Sequence, residues 1–386
     1  MSPLDAQSNV WSNAQSNIWP IIVAWGEGSA PSSCEWQKLI DWELSSKVGN
    51  RSPAAVWKTG AEDVRAALLE RAQILQTLES RRAVLPLPGS WQAHVELLWT
   101  FWLPLAQQIS DRQAKLGRPF IQGILGGQGS GKTTLTKGLS VILQLMGKSA
   151  AALSLDDLYL PYRDRLKLQQ ADARLAWRGP PGTHDVGLGI RTLSAVKSAA
   201  LATQISLPRF DKSLHRGQGD RIAPVCQPVP SILFFEGWFV GARPLDDALF
   251  ADSRIKLPSP IETTEDRLFA RDMNRQLRHY QPLWALLDSL LVILLEDYRL
   301  SYEWRLQAER DMHAAGKECL SDREIASFVT YFWKALHPEL FIVPIAERAI
   351  RQRDNAMSEQ QPADLPIDLV VEIGQGHTVK ALRSPQ

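Results

Sequence analysis

Apolar and polar positions alternate in two different ways along this chain of 386 residues. From residue 120 onward, short apolar runs are separated by longer stretches whose apolar residues recur at helical spacing. The apolar runs are residues 120–125, 150–155, 205–207, 232–235 and 290–295, and helical patterns occupy residues 133–145 and 301–315. Buried strands that alternate with crossover helices form parallel sheets. We therefore predict an α/β fold, a parallel sheet flanked by helices, with functional residues at the carboxyl ends of the strands.

The first part of the chain follows a helical pattern instead. Apolar residues recur at helical spacing within residues 54–83, and the stretch 85–90 breaks this pattern before a further helix that Ser90 would cap. We divide the chain into a mainly helical N-terminal region, residues 1–88, of unassigned role, and a domain of residues 89–386 that carries the sheet. Most of the 14 Trp residues are expected to pack in the core rather than to form an exposed partner site.

The end of the chain, residues 366–382, alternates enough to predict a last strand with a turn at residues 374–376. His377 follows this turn directly. We interpret it as a turn residue rather than a ligand, because a lone histidine beside glycines is more often structural.

Composition narrows the class of protein. Hydrophobic residues make up 45% and charged residues 22%, which excludes collagen-like and wholly disordered chains. With 43 Lys and Arg against 42 Asp and Glu, the net charge is +1, so the broad positive field of a sequence-independent nucleic-acid binder is absent. The three cysteines lack metal-ligand spacing, and no apolar run approaches the roughly 20 residues that span a bilayer. We expect a cytoplasmic protein without nucleic-acid or membrane partners. The sequence gives no prediction about protein partners.

A glycine-rich loop follows the first predicted strand. The sequence GGQGSGKTT satisfies the pattern G-x-x-x-x-G-K-[ST], with a strand before it and a helix after it. Such a loop turns its backbone N–H groups toward phosphate oxygens, which the N-terminus of the helix also attracts. We expect Lys132 to reach the β- and γ-phosphates and Thr133 to ligate Mg²⁺. The predicted nucleotide-binding residues are Gly126, Gly127, Gln128, Gly129, Ser130, Gly131, Lys132, Thr133 and Thr134.

Two aspartates at the end of the second strand suggest phosphoryl transfer to a hydroxyl group. The chain lacks the DxxG and NKxD motifs of GTPases and the LSGGQ-like signature of ABC-type ATPases, but it carries SLDDLY. Transfer needs one carboxylate beside the acceptor and one near the metal, and Asp156 and Asp157 could divide these tasks. The alternative is that either residue caps a helix or stabilises a loop.

A third carboxylate ends the apolar run in ILFFEGW. Glu236 at the tip of a buried strand beside the phosphate loop is suited to ordering Mg²⁺ or its water ligands. The predicted metal residues are thus Thr133, Asp157 and Glu236.

Two polar stretches, WRGPPGTHD and LPRFDKSLHRGQGDR, separate these strands. The first predicts a loop in which Thr183 caps the next helix. As a group, the charged residues of both stretches could bind an anionic acceptor, although each alone is equally explained as a solvated loop residue. These candidates are Arg178, His184, Asp185, Arg209, Asp211, Lys212, His215 and Arg216.

Together and in this order, the motifs resemble the metabolite-kinase branch of P-loop proteins, which includes uridine kinase, phosphoribulokinase and pantothenate kinase. The shared pattern is SxDD[FL]Y, a PRFDKSLHR-like stretch and a strand ending in EG, with Leu158 at a position where Phe is usual. The longer stretches AWRGPPGTHD, LPRFDKSLHRGQGDR, FFEGW and YEWRLQAE resemble the D-glycerate 3-kinase family of plants and cyanobacteria, over about residues 97–340.

The resemblance implies a P-loop NTPase-type fold, ATP and Mg²⁺ as cosubstrates, and phosphorylation of D-glycerate to 3-phosphoglycerate, a salvage step of photorespiration. It implies that Asp156 is the catalytic base and that Glu236 is the acidic residue on the metal side. It also implies that Arg209 and His184 face the acceptor and that Arg305 approaches the phosphates.

Two alternatives stay open at this point. One is a kinase for another hydroxylated metabolite, such as a nucleoside, pantothenate or a sugar phosphate. The other is a nucleotide-binding adaptor without efficient transfer, although such a module would not need the acceptor-side residues Asp156, Arg209 and His215.

Overall fold

A computed structural model describes residues 18–45, 57, 60, 62–87, 89–200, 203–314, 321–351 and 365–384. Its strands are β1 (Phe120–Gly126), β2 (Ala150–Ser154), β3 (Gln204–Asp211), β4 (Asp220–Pro228), β5 (Ile232–Gly237), β6 (Ser289–Leu295), β7 (Ile367–Ile373) and β8 (Val379–Arg383). Its first helices are α1 (Trp19–Gly26), α2 (Ser33–Ser45), α3 (Val64–Ser80), α4 (Trp91–Leu97), α5 (Leu103–Leu116), α6 (Lys132–Leu145) and α7 (Tyr162–Ala171). The later ones are α8 (Val186–Ser198), α9 (Ala248–Ala251), α10 (Thr264–Trp284), α11 (Leu300–Ala314), α12 (Asp322–Ala335), α13 (Pro338–Phe341) and α14 (Val343–Arg351).

The main sheet has the strand order β2-β5-β1-β6-β7-β8. Its first five strands run parallel, and β8 pairs antiparallel with β7 at the edge. Every residue of β1 and of β5 is buried, as expected for central strands that helices cover on both faces. The predicted α/β fold with a mostly parallel sheet is confirmed. The carboxyl ends of β1, β2 and β5 meet at one edge, so their polar residues come together.

The prediction that residues 205–207 belong to the parallel sheet is wrong. They lie in β3, which pairs antiparallel with β4 in a separate two-stranded sheet. The reason is the short connection of residues 212–219, since a parallel crossover needs about a dozen residues or more. The second polar stretch therefore forms a hairpin, which brings Arg209 and Lys212 to the edge where β2 ends.

Two further boundaries differ from the sequence prediction, and one predicted helix cap is confirmed. Within residues 54–83, the described residues 60, 62 and 63 precede the helix, which spans Val64–Ser80; residues 54–56, 58–59 and 61 lie outside the described part. Residues 366–382 hold two strands, β7 and β8, with the short helical turn Gln375–His377 between them. The Ser90 cap is confirmed, because its side chain accepts a hydrogen bond from the Ala93 amide.

The N-terminal helices cover one face of the main sheet. Apolar side chains of α1, α3 and α5 form one buried cluster with α6 and with strand residues such as Ile124 and Phe234. The Trp residues at 25, 42, 57, 91, 99 and 102 are buried here, which confirms their predicted role in packing. The division at residue 88 stays a prediction. The opposite face is covered by α8, α10, α12 and α14.

Trp102 contacts the helix that follows the glycine-rich loop. Its ring lies so close to Gly138 of α6 that a Cβ on Gly138 would overlap it. Trp102, which lies between α4 and α5, therefore supports α6 directly. Among the described residues, no helix has the length and apolar character needed to cross a membrane.

Candidate functional site

The glycine-rich loop lies between β1 and α6, as predicted. Gly129 and Gly131 have φ angles of 73° and 84°, which only glycine adopts without strain. A Cβ on Gly126 would lie 2.6 Å from Oγ of Ser130, so this position also excludes a side chain. Nζ of Lys132 donates to the carbonyl oxygens of Gly126 and Gly127, each at 2.8 Å. The loop thus has the compact curvature of a phosphate-binding loop, with Lys132 folded over it.

Thr133 and Glu236 form the pair suited to a metal ion. The Thr133 hydroxyl donates to Oε1 of Glu236 at 3.1 Å, and Glu236 is only 8% exposed. A hydroxyl and a carboxylate oxygen are ligands that Mg²⁺ prefers, and Mg²⁺ sites of phosphotransferases take their remaining ligands from phosphate and water. The donor set therefore fits Mg²⁺. In the described part of the chain, no three His, Cys, Asp or Glu side chains cluster as a metal site of their own.

Asp156 lies at the end of β2, in the short helix Leu155–Leu158. Its Oδ2 accepts a hydrogen bond from Nζ of Lys212 at 2.6 Å, and its Oδ1 accepts one from the Tyr159 hydroxyl at 2.7 Å. Burial raises the pKa of Asp156, but Lys212 and the Tyr159 hydrogen bond outweigh it and hold the pKa below its usual value. Asp156 is therefore an ionised carboxylate at neutral pH.

Asp157 points to different partners. Its Oδ2 accepts from the Ser154 amide at 3.0 Å and from Arg209 at 3.3 Å, and its Oδ1 accepts from the Phe210 amide at 3.2 Å. Burial raises the pKa of Asp157, against the effect of these donors. Asp157 thus fastens β3 to the end of β2, and the structure does not place it in contact with Thr133 or Glu236.

His184 is buried beside Asp156. Its ring stacks on Tyr159 at a centroid distance of 4.6 Å, and its Nδ1 lies 2.8 Å from the hydroxyl oxygen of Tyr280. Burial lowers the pKa of His184 to about 3, although Asp156 opposes this shift. His184 is therefore neutral at physiological pH. It belongs to the same wall as Asp156 through Tyr159, and its role toward the acceptor stays a prediction.

Asp185 and Arg209 form hydrogen bonds with neighbouring backbone and side-chain groups. Oδ1 of Asp185 accepts from the Leu188 amide at 2.8 Å and caps α8, so the prediction of Thr183 as this cap is wrong. Thr183 instead bonds to Gly179 and Pro180 within the preceding turn. The other Asp185 oxygen faces Arg221 at 3.3 Å. Arg209 donates to Asp157, to the carbonyl oxygen of Ala152 in β2 and to that of the adjacent Pro208 in β3.

The turn of the β3–β4 hairpin contains the remaining acceptor candidates. Asp211 accepts from the amide and hydroxyl of Ser213, which lowers its pKa. His215 and Arg216 have positive φ angles of 51° and 54°. The His215 ring stacks on Tyr162 at 4.1 Å, and its Nε2 lies 3.0 Å from Oδ2 of Asp220. These residues shape the hairpin, and of the turn side chains it is Lys212 that contacts Asp156.

Arg305 lies on α11 and is paired with Glu309 on the same helix. It also lies over the Phe328 ring of α12 at 5.6 Å. The neighbouring Trp304 is the α11 residue that contacts the phosphate loop, since a Cβ on Gly129 would lie 3.1 Å from its Cβ. Trp304 also stacks on His377, whose Nε2 lies 2.7 Å from the Gly129 carbonyl oxygen. His377 is a turn residue, as predicted, and it joins the last hairpin to this loop.

A cavity of about 310 Å³ opens beside the phosphate loop. Gly127 and Gln128 line one side. The end of β6 with the residues that follow it, the second half of α12, the start of α13 and of α14, and Trp238 line the rest. Its size is at the lower end of the range for small-ligand pockets.

Sequence reasoning missed three side chains of the site. Tyr159 ends the motif SLDDLY but was given no role there, Tyr280 lies in none of the motifs, and Lys212 appeared only as one member of a charged group. The spacing between Asp156 and Tyr159 within one helical turn is the single local signal that could have placed the Tyr159 hydroxyl near Asp156. Tyr280 lies 96 residues from His184, so only the fold joins them.

Comparisons with known proteins add independent information. No protein-family model matches the chain. "Uncharacterized kinase mug58" of Schizosaccharomyces pombe is 34% identical over 225 residues, which cover 56% of this chain and 79% of that protein. "Probable ATP-dependent kinase TDA10" of Saccharomyces cerevisiae is 30% identical over 220 residues, which cover 53% of this chain and 72% of that protein. "D-glycerate 3-kinase, chloroplastic" of Arabidopsis thaliana is 32% identical over 58% of this chain, but the match spans only 49% of that protein.

Solved structures agree with these sequence matches. The D-glycerate 3-kinase of Cryptococcus neoformans var. grubii superposes with a TM-score of 0.60 at 26% identity, over 72% of this chain and 99% of that one. The structure of the YGR205w protein gives a TM-score of 0.58 at 23% identity, over 73% of this chain and 95% of that one, which shows a shared fold.

Proposed function

This chain belongs to the kinase family of its fission-yeast and budding-yeast relatives, within the P-loop kinases, and we propose that it transfers the γ-phosphoryl group of ATP to the 3-hydroxyl of D-glycerate. It is a phosphotransferase with an alcohol group as acceptor. The observation that carries the substrate proposal is the ionised Asp156 at the edge of the sheet where the phosphate loop lies. The resemblance to two D-glycerate 3-kinases supports the choice of acceptor.

The phosphate loop and Lys132 would hold and neutralise the phosphates of ATP. Burial lowers the pKa of the Lys132 ammonium, while Glu236 and Asp156 oppose that shift and favour its charged form. This arrangement places positive charge where the transferring phosphoryl group gains negative charge.

Thr133 and Glu236 would hold Mg²⁺. When bound, the ion would supply positive charge that offsets the negative charge of the phosphate groups. Because Asp157 accepts hydrogen bonds from Ser154, Arg209 and Phe210, we assign it a positioning role and not the metal role expected from the sequence.

Asp156 would accept a hydrogen bond from the acceptor hydroxyl. It would take the hydroxyl proton as the new P–O bond forms and as the bond between the γ-phosphorus and the β–γ bridging oxygen breaks, so that ADP leaves. Its two current donors, Lys212 and Tyr159, fix the carboxylate and keep it ionised. The positive charge of Lys212 would also lie near the transferring group, because it approaches Lys132 closely enough to lower the pKa of Lys132.

We also propose a cytoplasmic location and a role of the product in photorespiratory salvage. The exposed Cys34 and Cys226 are free thiols, which supports a reducing compartment. The salvage role rests on the resemblance to the plant enzyme alone.

The test is a measurement of ADP release from Mg²⁺-ATP with D-glycerate, L-glycerate, uridine, pantothenate and ribulose 5-phosphate, each offered separately. NMR identifies the product of any reaction. Turnover of D-glycerate to 3-phosphoglycerate is expected. Turnover of a different acceptor alone would mean that this compound, and not D-glycerate, is the substrate. If none of the five compounds is phosphorylated although ATP binds, the result would favour a nucleotide-binding adaptor.

A further inference from the structure

The hydroxyl group of Tyr280 has a complete set of partners. Tyr280 is fully buried, and its oxygen accepts a hydrogen bond from the Gly182 amide at 2.9 Å. The second neighbour is Nδ1 of His184 at 2.8 Å. A phenol has one proton to donate, and leaving it without an acceptor in a buried site is costly. The Tyr280 proton therefore points to Nδ1 of His184, and this nitrogen must be unprotonated.

The remaining proton of His184 then lies on Nε2. Burial keeps the ring neutral, so it carries a single N–H group. Nε2 is buried and has no hydrogen-bond partner among the residues that the structure describes. The ring as a whole is 5% exposed. A buried N–H group without a hydrogen-bond partner is unfavourable. The unpartnered N–H of His184 therefore indicates that an oxygen atom of a bound ligand accepts its hydrogen bond.

The position of this N–H group relates it to the acceptor. The two ring nitrogens lie on opposite sides of the imidazole, so Nε2 faces away from Tyr280. The ring stacks on Tyr159, whose hydroxyl donates to Asp156, and Asp156 is close enough to act electrostatically on His184. An acceptor molecule whose hydroxyl group reaches Asp156 therefore lies against the side of the site that Tyr159 and His184 form.

We infer that Tyr280 fixes His184 as the Nε2–H tautomer, and that this N–H donates to a carboxylate oxygen of the acceptor. A carboxylate oxygen only accepts hydrogen bonds, so a fixed donor matches it, whereas a hydroxyl would pair with either tautomer. Tyr280 is a positioning residue in this arrangement and His184 is a binding residue. The inference rests on the proposed function for the identity of the acceptor, but the tautomer does not depend on it.

The first test is made on the unaltered protein. Two-dimensional ¹H–¹⁵N NMR of a histidine-labelled sample distinguishes protonated from unprotonated ring nitrogens, and the chain contains only 7 His residues. His184→Gln identifies the resonance by its loss. We expect protonated Nε2 and unprotonated Nδ1 for His184. Protonation at Nδ1 would overturn the inference, whether or not the protein phosphorylates glycerate.

The second test compares Tyr280→Phe with Tyr331→Phe. The Tyr331 hydroxyl is partly buried and donates to the Trp177 carbonyl, outside the Asp156 wall, so this variant is a control for the removal of a hydrogen-bonded tyrosine hydroxyl. We expect Tyr280→Phe to raise KM for D-glycerate about tenfold, the scale of one hydrogen bond to a charged group, with KM for ATP unchanged. An equal rise in KM for both substrates, or the same effect in Tyr331→Phe, would show a general structural role instead.

A double variant and a substrate analogue separate the orientation of His184 from the packing of Tyr280. The amide of His184→Gln has an N–H donor that needs no tautomer, so adding Tyr280→Phe to it should change KM for D-glycerate less than twofold. With 3-hydroxypropionate, which keeps the carboxylate and lacks the 2-hydroxyl, the Tyr280→Phe penalty should persist. Its disappearance would overturn the carboxylate assignment. If D-glycerate is not a substrate at all, that assignment falls together with the proposed function, while the NMR result still decides the tautomer.

Discussion

The ammonium group of Lys212 lies 2.6 Å from Oδ2 of Asp156, although 56 residues separate them in the chain. Lys212 belongs to the turn between β3 and β4, whereas Asp156 follows β2 of the main sheet. The hairpin therefore sets the charge state of the carboxylate that we propose to receive the acceptor proton. This contact makes the hairpin part of the chemical site and not merely a surface extension.

Replacing Asp156 with Asn should lower kcat with D-glycerate by about 100-fold to 10,000-fold, the usual contribution of a positioned proton acceptor. The amide keeps the size of the carboxylate but cannot take the proton. ATP binding, measured by isothermal titration calorimetry, should change little because Asp156 is not part of the phosphate loop. Asp164→Asn alters an exposed carboxylate that pairs with Lys167 and serves as the control. A kcat within a few-fold of the unaltered protein would refute the role of Asp156.

Replacing Lys212 with Met should shift the acid limb of the pH profile of kcat/KM to higher pH. Lys212 holds the pKa of Asp156 below its usual value, against the effect of burial. Without that charge the pKa rises, so Asp156 is protonated and inactive at a higher pH than before. Lys212→Arg keeps the charge and should leave the acid limb close to its original position. An unmoved acid limb in Lys212→Met would mean that a different group controls it.

Replacing Thr133 with Ala should raise the Mg²⁺ concentration needed for half-maximal activity by about tenfold. The variant loses a ligand oxygen beside Glu236, and loss of one favourable ligand contact costs on the order of 1.4 kcal/mol, or a factor of ten. Thr133→Ser restores the hydroxyl and should restore the Mg²⁺ requirement. Activity is measured against Mg²⁺ at a fixed ATP concentration. The same Mg²⁺ requirement in Ala and Ser variants would remove Thr133 from the metal site.

Replacing Gly138 with Ala should destabilise the protein by about 1–3 kcal/mol, the usual cost of overfilling a packed core. The new Cβ would overlap the buried Trp102 ring, and this cost exceeds the roughly 1 kcal/mol by which Ala favours a helix over Gly. Denaturant unfolding measures the difference. Lys137→Ala, at an exposed position of the same helix, should change stability far less. A stabilised Gly138→Ala protein would show that Trp102 does not support α6 in solution.

Local pattern was sufficient to predict the chemistry of the phosphate loop. The order strand, glycine-rich loop, helix requires a particular backbone curvature, and Gly129 and Gly131 adopt the positive φ angles that it needs. The pairing of Thr133 with Glu236 could also be predicted from the sequence, because two parallel strands bring their carboxyl ends to the same edge of the sheet.

The sequence by itself determined the class of fold, the phosphate loop and the carboxylates available for catalysis, because strand and helix periodicities and glycine conformations depend on neighbouring residues. Only the tertiary structure decided that Asp157 braces the hairpin, that Lys212 contacts Asp156, and that Tyr280 orients His184. Each of these relationships joins residues that chain order does not bring together, and each depends on which side chains satisfy hydrogen bonds when the elements pack. Local sequence cannot encode such a choice of partners, since every polar group has many candidate partners until the fold brings a few of them within hydrogen-bond distance.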